Sequence, residues 1–224
     1  MLLLAIDTSG KHGSIALADC KPDEGCRVLE VVPLTGGTFS AQLVPQIAEL
    51  LGKHGVGKRD IGGFAAASGP GSFTGLRVGL AAIKALAEVL NKPIVTVSIL
   101  EAVATSGRHN GVIVAALDAG RNEIYLGKYE VEESRAETVL ESLIRRDELA
   151  AVTGAWIVLS PDASVIELAT AGGLQAELIG RPRADVIAEL GWKKICAGEI
   201  VSPEDLEANY IRRSDAEIFA KKSS

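Results

Sequence analysis

One stretch constrains this chain more than any other: GPGSFTGLRVGLAAIKALAEVL, Gly69 to Leu90. It opens with a glycine–proline–glycine turn, which the interior of neither a helix nor a strand tolerates. It then runs directly into a helical sequence of about four to five turns. Ser72 stands where a cap belongs, because its hydroxyl can accept from backbone N–H groups that the first turn leaves unpaired. With residues placed at about 100° intervals, Thr74, Arg77, Lys84 and Glu88 fall within roughly 80° of arc. The remainder is apolar and divides in two. Leu76, Leu80, Ile83, Ala87 and Leu90 make a stripe of mostly large side chains suited to packing on a sheet. Gly75, Val78, Gly79, Ala82, Ala85, Leu86 and Val89 make a second stripe of smaller ones. A helical glycine costs about 1 kcal/mol relative to alanine, so two of them four residues apart predict the close approach of another backbone. Such a helix is either wrapped by its own domain or left with a face for a second protein, and the pattern alone leaves both readings open.

The rest of the chain is arranged around that segment. Leu2–Asp7 reads as a buried strand ending in the polar turn Asp7-Thr8-Ser9-Gly10, and Gly13–Ala18 and Arg27–Leu34 complete a three-stranded meander. Ser40–His54 is the first long helix, with Leu43, Val44, Ile47, Leu50 and Leu51 on one face and Pro45 near its start. Gly63–Ser68 is a strand leading into the glycine-rich turn. Lys92-Pro93 stops the long helix, and Ile94–Ser98 and Ile99–Ser106 follow as a strand and a short helix. Gly107–Gly111 is polar and carries two glycines, which places a boundary between residues 1–106 and 107–202; residues 203–224 form a tail expected to pack back on the body. Val112–Asp118, the tight turn Ala119–Asn122 and the strand Glu123–Val131 then repeat the opening pattern of buried strand, aspartate, turn and strand. Beyond them, Ala155–Leu159 reads as a strand and Asp162–Ala171 and Ala184–Cys196 as helices; otherwise Glu132–Gly198 gives little signal.

Composition narrows the classes. With 224 residues, 47% apolar and 23% charged, the chain falls among globular α/β proteins. A net charge of −6 argues against autonomous binding of nucleic acid, so any link to RNA has to run through a partner. Cys20, Cys26 and Cys196 lack the paired spacing of zinc sites. A Cys20–Cys26 bridge across a hairpin loop is conceivable, but reduced thiols are the expectation. MLLLAI is too short for a signal-peptide core and no apolar run reaches membrane-spanning length, so the expected location is the cytoplasm, with no membrane contact.

Catalytic constellations are thin. His12, His54 and His109 lie far apart and none has a partner at helical spacing, so a metal site is not expected. The glycine-rich turn lacks the lysine of a P-loop; its helix start could still attract a phosphate near Ser72, though tight strand-to-helix geometry explains the glycines more readily. Ser72 does not sit in a nucleophile elbow. Asp7, Thr8 and Ser9, and likewise Asp118 with Arg121 and Glu123, admit two readings: magnesium-nucleotide ligands, with Asp118 as a base across a cleft from Asp7, or Asx-type turns. The turn reading is preferred.

Two halves that each open with strand, aspartate, turn and strand suggest the two-lobed architecture shared by actin, sugar kinases and Hsp70 (the ASKHA fold), each lobe a mixed sheet with helices. The strings AIDTS (Ala5–Ser9), SGPGSFTGLRVGLAAIKALA (Ser68–Ala87), LDAGRNEIYLGKY (Leu117–Tyr129) and NYIRRSDAE (Asn209–Glu217) together resemble the TsaB (YeaZ) family. The resemblance implies a subunit without catalysis of its own that helps make threonylcarbamoyladenosine next to the anticodon of tRNA. It would pair with a related TsaD-like subunit carrying the metal and active site, joined by a TsaE-like ATPase. ATP and metal would then reside on partners, tRNA would be met only through the complex, and the chain alone would form a homodimer. The helices Ser40–His54 and Ser72–Leu90 would meet the partner's helices in a bundle, with Leu43, Ile47, Leu50, Gly75, Arg77, Val78, Gly79, Ala82 and Leu86 at the interface. Thr38-Phe39-Ser40 departs from the family's His-Ser pair at the first helix start. Tyr210, Arg212 and Arg213 read first as tail packing and second as a rim contact. The alternative is an independent nucleotide-dependent kinase or ATPase of the same fold; a weaker third reading is a homodimer that binds some other protein.

Overall fold

β1 (Leu2–Asp7) is apolar along almost its whole length because both of its faces are covered. A computed structural model, describing residues 1–35, 37–133 and 135–212, shows how. β1 pairs antiparallel with β2 (His12–Lys21), which pairs antiparallel with β3 (Gly25–Thr35). After α1 (Phe39–Lys53), β4 (Ile61–Gly69) returns parallel to β1; after α2 (Phe73–Leu90), β5 (Ile94–Ser98) adds parallel to β4. The sheet order is β3-β2-β1-β4-β5. Leu4 and Ile6 join Leu43, Ile47, Leu50, Leu51, Leu80 and Ile83 in the core beneath α1 and α2. Leu3 and Gly63 lie on the other face, beside Ile195 of α6 (Ala184–Ala197). Gly191 of α6 has no room for a side chain, since a Cβ there would stand 2.5 Å from that of Ala65.

The second sheet repeats the first. β6 (Gly111–Gly120) pairs antiparallel with β7 (Glu123–Glu132), which pairs with β8 (Arg135–Arg145). β9 (Ile157–Ser160) is parallel to β6 and β10 (Ala176–Leu178) parallel to β9, with α4 (Leu149–Thr153) before β9 and α5 (Ala163–Ala171) after it. Read from the meander edge, the order is β8-β7-β6-β9-β10, strand for strand that of the first sheet. Val114, Ala116, Ile124, Leu126, Val158 and Val165 form its core. The two mixed sheets with their helices make a two-lobed α/β fold of the ASKHA type.

The expected division at residues 106 and 107 is corrected. One unit comprises Met1–Ile99 and Pro182–Ala208; the other begins at Leu100, runs to Arg181 and takes the chain up again from Asn209. α3 (Ile99–Ser106) thus closes the second unit, where the Leu100 side chain covers Gly127 of β7. α6 closes the first, with Ser14 Oγ accepting from the Ala184 N–H at 2.9 Å. The tail is divided as well: Leu206 is buried in the first core, whereas Asn209 bonds to Glu141 of β8. Arg213–Glu217, part of the tail string, lies outside the described residues. Pro45 is inside α1 and not near its start, and it tops a solvent-facing side of the helix. No helix among the described residues is long and apolar enough to cross a membrane.

Candidate functional site

The turn after β1 and the start of α2 are built as one object. Asp7 is 3% exposed, and its Oδ1 accepts from the Ser9 N–H at 2.8 Å, closing an Asx turn. Thr8 Oγ1 donates to the Gly75 carbonyl at 2.8 Å, and the Ser72 N–H donates to the Ser9 carbonyl at 2.6 Å. Ser72 caps α2 as its sequence position predicts, its Oγ accepting from the Gly75 N–H. The glycines now have a cause. A Cβ on Gly75 would lie 2.1 Å from the Thr8 carbonyl oxygen, one on Gly79 2.3 Å from Thr8 Oγ1, and one on Gly71 2.2 Å from the Ser9 carbonyl oxygen. The close backbone that the helical glycines foretold is the chain's own β1–β2 turn.

Asp118 repeats this arrangement at the end of β6, with its Oδ1 accepting from the Gly120 N–H at 2.9 Å. Its other oxygen faces Arg146 at 3.4 Å, and its N–H donates to Asp162. Both aspartates therefore close hairpin turns with their own chain. At the first turn Asp7 Oδ1, the Ser9 carbonyl and the Ser72 N–H all hold bonds within the chain, while the Ser9 hydroxyl is buried without a hydrogen-bond partner. No group of three or more metal-ligating side chains is formed among the described residues. A cavity of about 680 Å³ opens beside the turn, at the first residues of α1 and α2, bordered by Lys11, His12, Ser40, Thr74 and Val78.

The expected interface residues separate into two groups. Leu43, Ile47 and Leu50 are 1%, 5% and 1% exposed and belong to the core, as do the buried Gly75 and Gly79. These five face inward, because α1 and α2 spend their large residues on the sheet and α2 spends its glycines on Thr8. Val78, Ala82 and Leu86 are half-buried, and Arg77 is exposed and stacked on Phe73, 3.8 Å from the ring centroid. Between and beyond these residues the surface is apolar. Val89 is 79% exposed, Ala85 is exposed, and on α1 Val44 is 63% exposed, with Ala41 and Ala48 also open to solvent. Val44, read on one face with Leu43 and Ile47, lies one residue off the Leu43–Ile47–Leu50 line and projects outward. The sequence signal for this surface was present in the helical wheel, since Val89 sits near the middle of the small-residue stripe at about 60° from Thr74.

Glu30 of β3 holds the end of α1. Lys53 Nζ donates to its Oε1 at 2.6 Å and His54 Nε2 lies 2.8 Å from its Oε2. The hydrogen bond from Lys53, then that from His54, holds the Glu30 carboxyl below its ordinary value of 4.5. On the other unit, Arg212 donates to the Ala119 carbonyl at 2.9 Å and reaches Glu123, fixing the described end of the tail on the β6–β7 turn. Tail packing, the first reading of Arg212, is what its contacts show. Tyr210 is 39% exposed, and Arg213 lies outside the described residues.

A family model described as TsaD, tRNA N6-adenosine threonylcarbamoyltransferase, matches residues 31–187. The tRNA threonylcarbamoyladenosine biosynthesis protein TsaB of Bacillus subtilis is 31% identical, across 97% of this chain and 96% of the relative. The Escherichia coli protein of the same name is 28% identical, across 96% of each. A Pseudomonas aeruginosa protein of known structure, described as uncharacterized with similarity to peptidase YEAZ, superposes with a TM-score of 0.77 at 27% identity, covering 94% of this chain and 99% of that one. With relatives matched from end to end, and with the same two-sheet architecture in a solved neighbour, this chain belongs to the TsaB (YeaZ) family.

Proposed function

We propose that this chain acts in the biosynthesis of threonylcarbamoyladenosine in tRNA as a non-catalytic subunit, offering the outer face of α1 and α2 to a TsaD-like catalytic subunit. The observation that carries this reading is the apolar strip of Val44, Val78, Ala82, Ala85, Leu86 and Val89, which the first unit's own core leaves at least partly open. Two further points support it. The relatives matched over nearly their whole length are named for that biosynthesis. A model described as TsaD also matches residues 31–187, a span that includes both helices, as expected if the two subunits share a fold and meet through like elements. In this reading ATP and metal are held by the TsaD-like and TsaE-like partners, tRNA is met through the complex, and two copies of this chain cover the same strip when the partner is absent.

The test uses the full chain, a TsaD-like subunit from the same genome and Val89→Glu. The substitution changes an exposed side chain, so thermal unfolding should be unaffected. A charge placed against an apolar partner surface should weaken association at least about tenfold, measured by calorimetry or light scattering. Unchanged affinity in a well-folded variant, or absence of any complex with the wild-type chain, would sink the proposal. Turnover of Mg-ATP by the purified chain alone would favour the kinase or ATPase alternative. Gly79 is a poor probe for docking, because bulk there strikes Thr8 before it reaches a partner.

A further inference from the structure

Cys20 and Cys26 are bonded to each other at the closed end of the β2–β3 hairpin, which overturns the expectation of reduced thiols for this pair. The backbone alone accounts for their meeting. The Cys20 N–H donates to the Met1 carbonyl at 2.9 Å, and its carbonyl accepts from the Met1 ammonium at 2.7 Å. Both polar groups of Cys20 thus point toward the chain's first residue and away from β3. On the β3 side Cys20 stands directly opposite Cys26 as a non-hydrogen-bonded pair, the position at which facing side chains of antiparallel strands come closest. The hairpin register holds the sulfurs together whether or not they are joined.

Their surroundings differ. Cys20 is 0% exposed, whereas Cys26 is half-buried beside an exposed turn. Cys26 Sγ lies 3.7 Å from the Ala188 carbonyl of α6. In the disulfide that sulfur carries no hydrogen and cannot donate; as a thiol it can, and the acceptor is already in place. The same fold therefore suits both oxidation states, with Cys26 the half-buried partner of the pair and Cys20 in the core.

We propose that Cys20–Cys26 is a reversible dithiol–disulfide switch that sets the stability of the first unit, exchanging with a solvent-borne dithiol. A thiolate of that dithiol attacks Cys26 Sγ, the Cys20–Cys26 bond breaks and Cys20 leaves as thiolate. The second thiolate of the reagent then attacks its own sulfur in the mixed disulfide and frees Cys26. The reagent becomes a disulfide, and the chain gains two electrons and, with protonation of both sulfurs, two protons.

The test uses the full chain with Cys196→Ser, which removes the remaining, exposed cysteine. It is equilibrated without denaturant in oxidised and reduced dithiothreitol at graded ratios. Alkylation and intact mass should show two thiols appearing together in one two-electron transition, with unchanged circular dichroism. The reduced form should have an unfolding equilibrium constant roughly 40-fold larger, the loop-closure effect for a ring of about this length. The Cys20→Ala/Cys26→Ala chain should match the reduced form at every ratio. A pair that stays reduced in oxidised reagent, a disulfide that yields only after denaturant is added, or a reduced chain that has lost its native dichroism would each overturn the proposal.

Discussion

Thr8 does at single-residue scale what the glycine-rich string requires. Its hydroxyl bonds to one turn of α2, and its backbone and side chain occupy the space that side chains at Gly75 and Gly79 would need. Gly75→Ala should therefore destabilise the chain by about 1–3 kcal/mol, despite the better helix propensity of alanine, because the new methyl meets a backbone oxygen that cannot swing away. Denaturant unfolding with an unchanged slope and a lower midpoint would show it; a more stable variant would contradict the packing described. Two glycines four apart on an otherwise apolar helix announce a close neighbour in the sequence. Whose backbone it is depends on tertiary placement, which spacing cannot encode, so the same glycines suit an internal turn as well as a partner.

At the scale of elements, α1 and α2 each carry two apolar surfaces, and the sequence assigned the larger one too little of the work. Leu43, Ile47 and Leu50 were expected at an interface and are core; Val44, read on the same helical face, is exposed. Adjacent residues on a helix differ by about 100°, so a small error in where the buried arc is centred exchanges such neighbours. Strands β8 and β10 went unread for a different reason. β8 is an edge strand, half-exposed along much of its length, and lacks the apolar alternation that a covered strand shows. The clamp of Glu30 on Lys53 and His54 gives α1 a pH dependence. Because the folded-state carboxyl titrates below 4.5, its contribution is complete above that value and is lost as pH falls through the lower folded-state value. Glu30→Gln should flatten the acid limb of a stability–pH curve in that window. An acid limb identical to wild type would mean the clamp is not held in solution.

For the whole molecule, the repeat of strand, aspartate, turn and strand was legible from Ala5–Ser9 and Leu117–Asn122, and it extends to the order of every strand in both sheets. The boundary was misplaced because a polar, glycine-bearing stretch marks where a chain bends and not which sheet its helices cover. A fragment of residues 1–106 consequently lacks α6, and one face of its sheet, including Ala65 and Leu3, is left bare. Expressed alone, it should aggregate or show no dispersed amide spectrum, whereas the full chain gives one; a well-folded fragment would mean α6 is dispensable to the first unit. Arg212→Ala belongs to this scale too. Loss of its bonds to Ala119 and Glu123 should raise hydrogen exchange in the β6–β7 turn and leave β1–β5 protected, while uniform protection would show that the tail anchors nothing.

The helix that follows the first sheet in the chain closes the second, and the helix that follows the second closes the first. The first sheet therefore cannot complete its core while the chain is being made: it waits for α6, the last helix among the described residues, and its final packing step comes only when nearly the whole polypeptide is available.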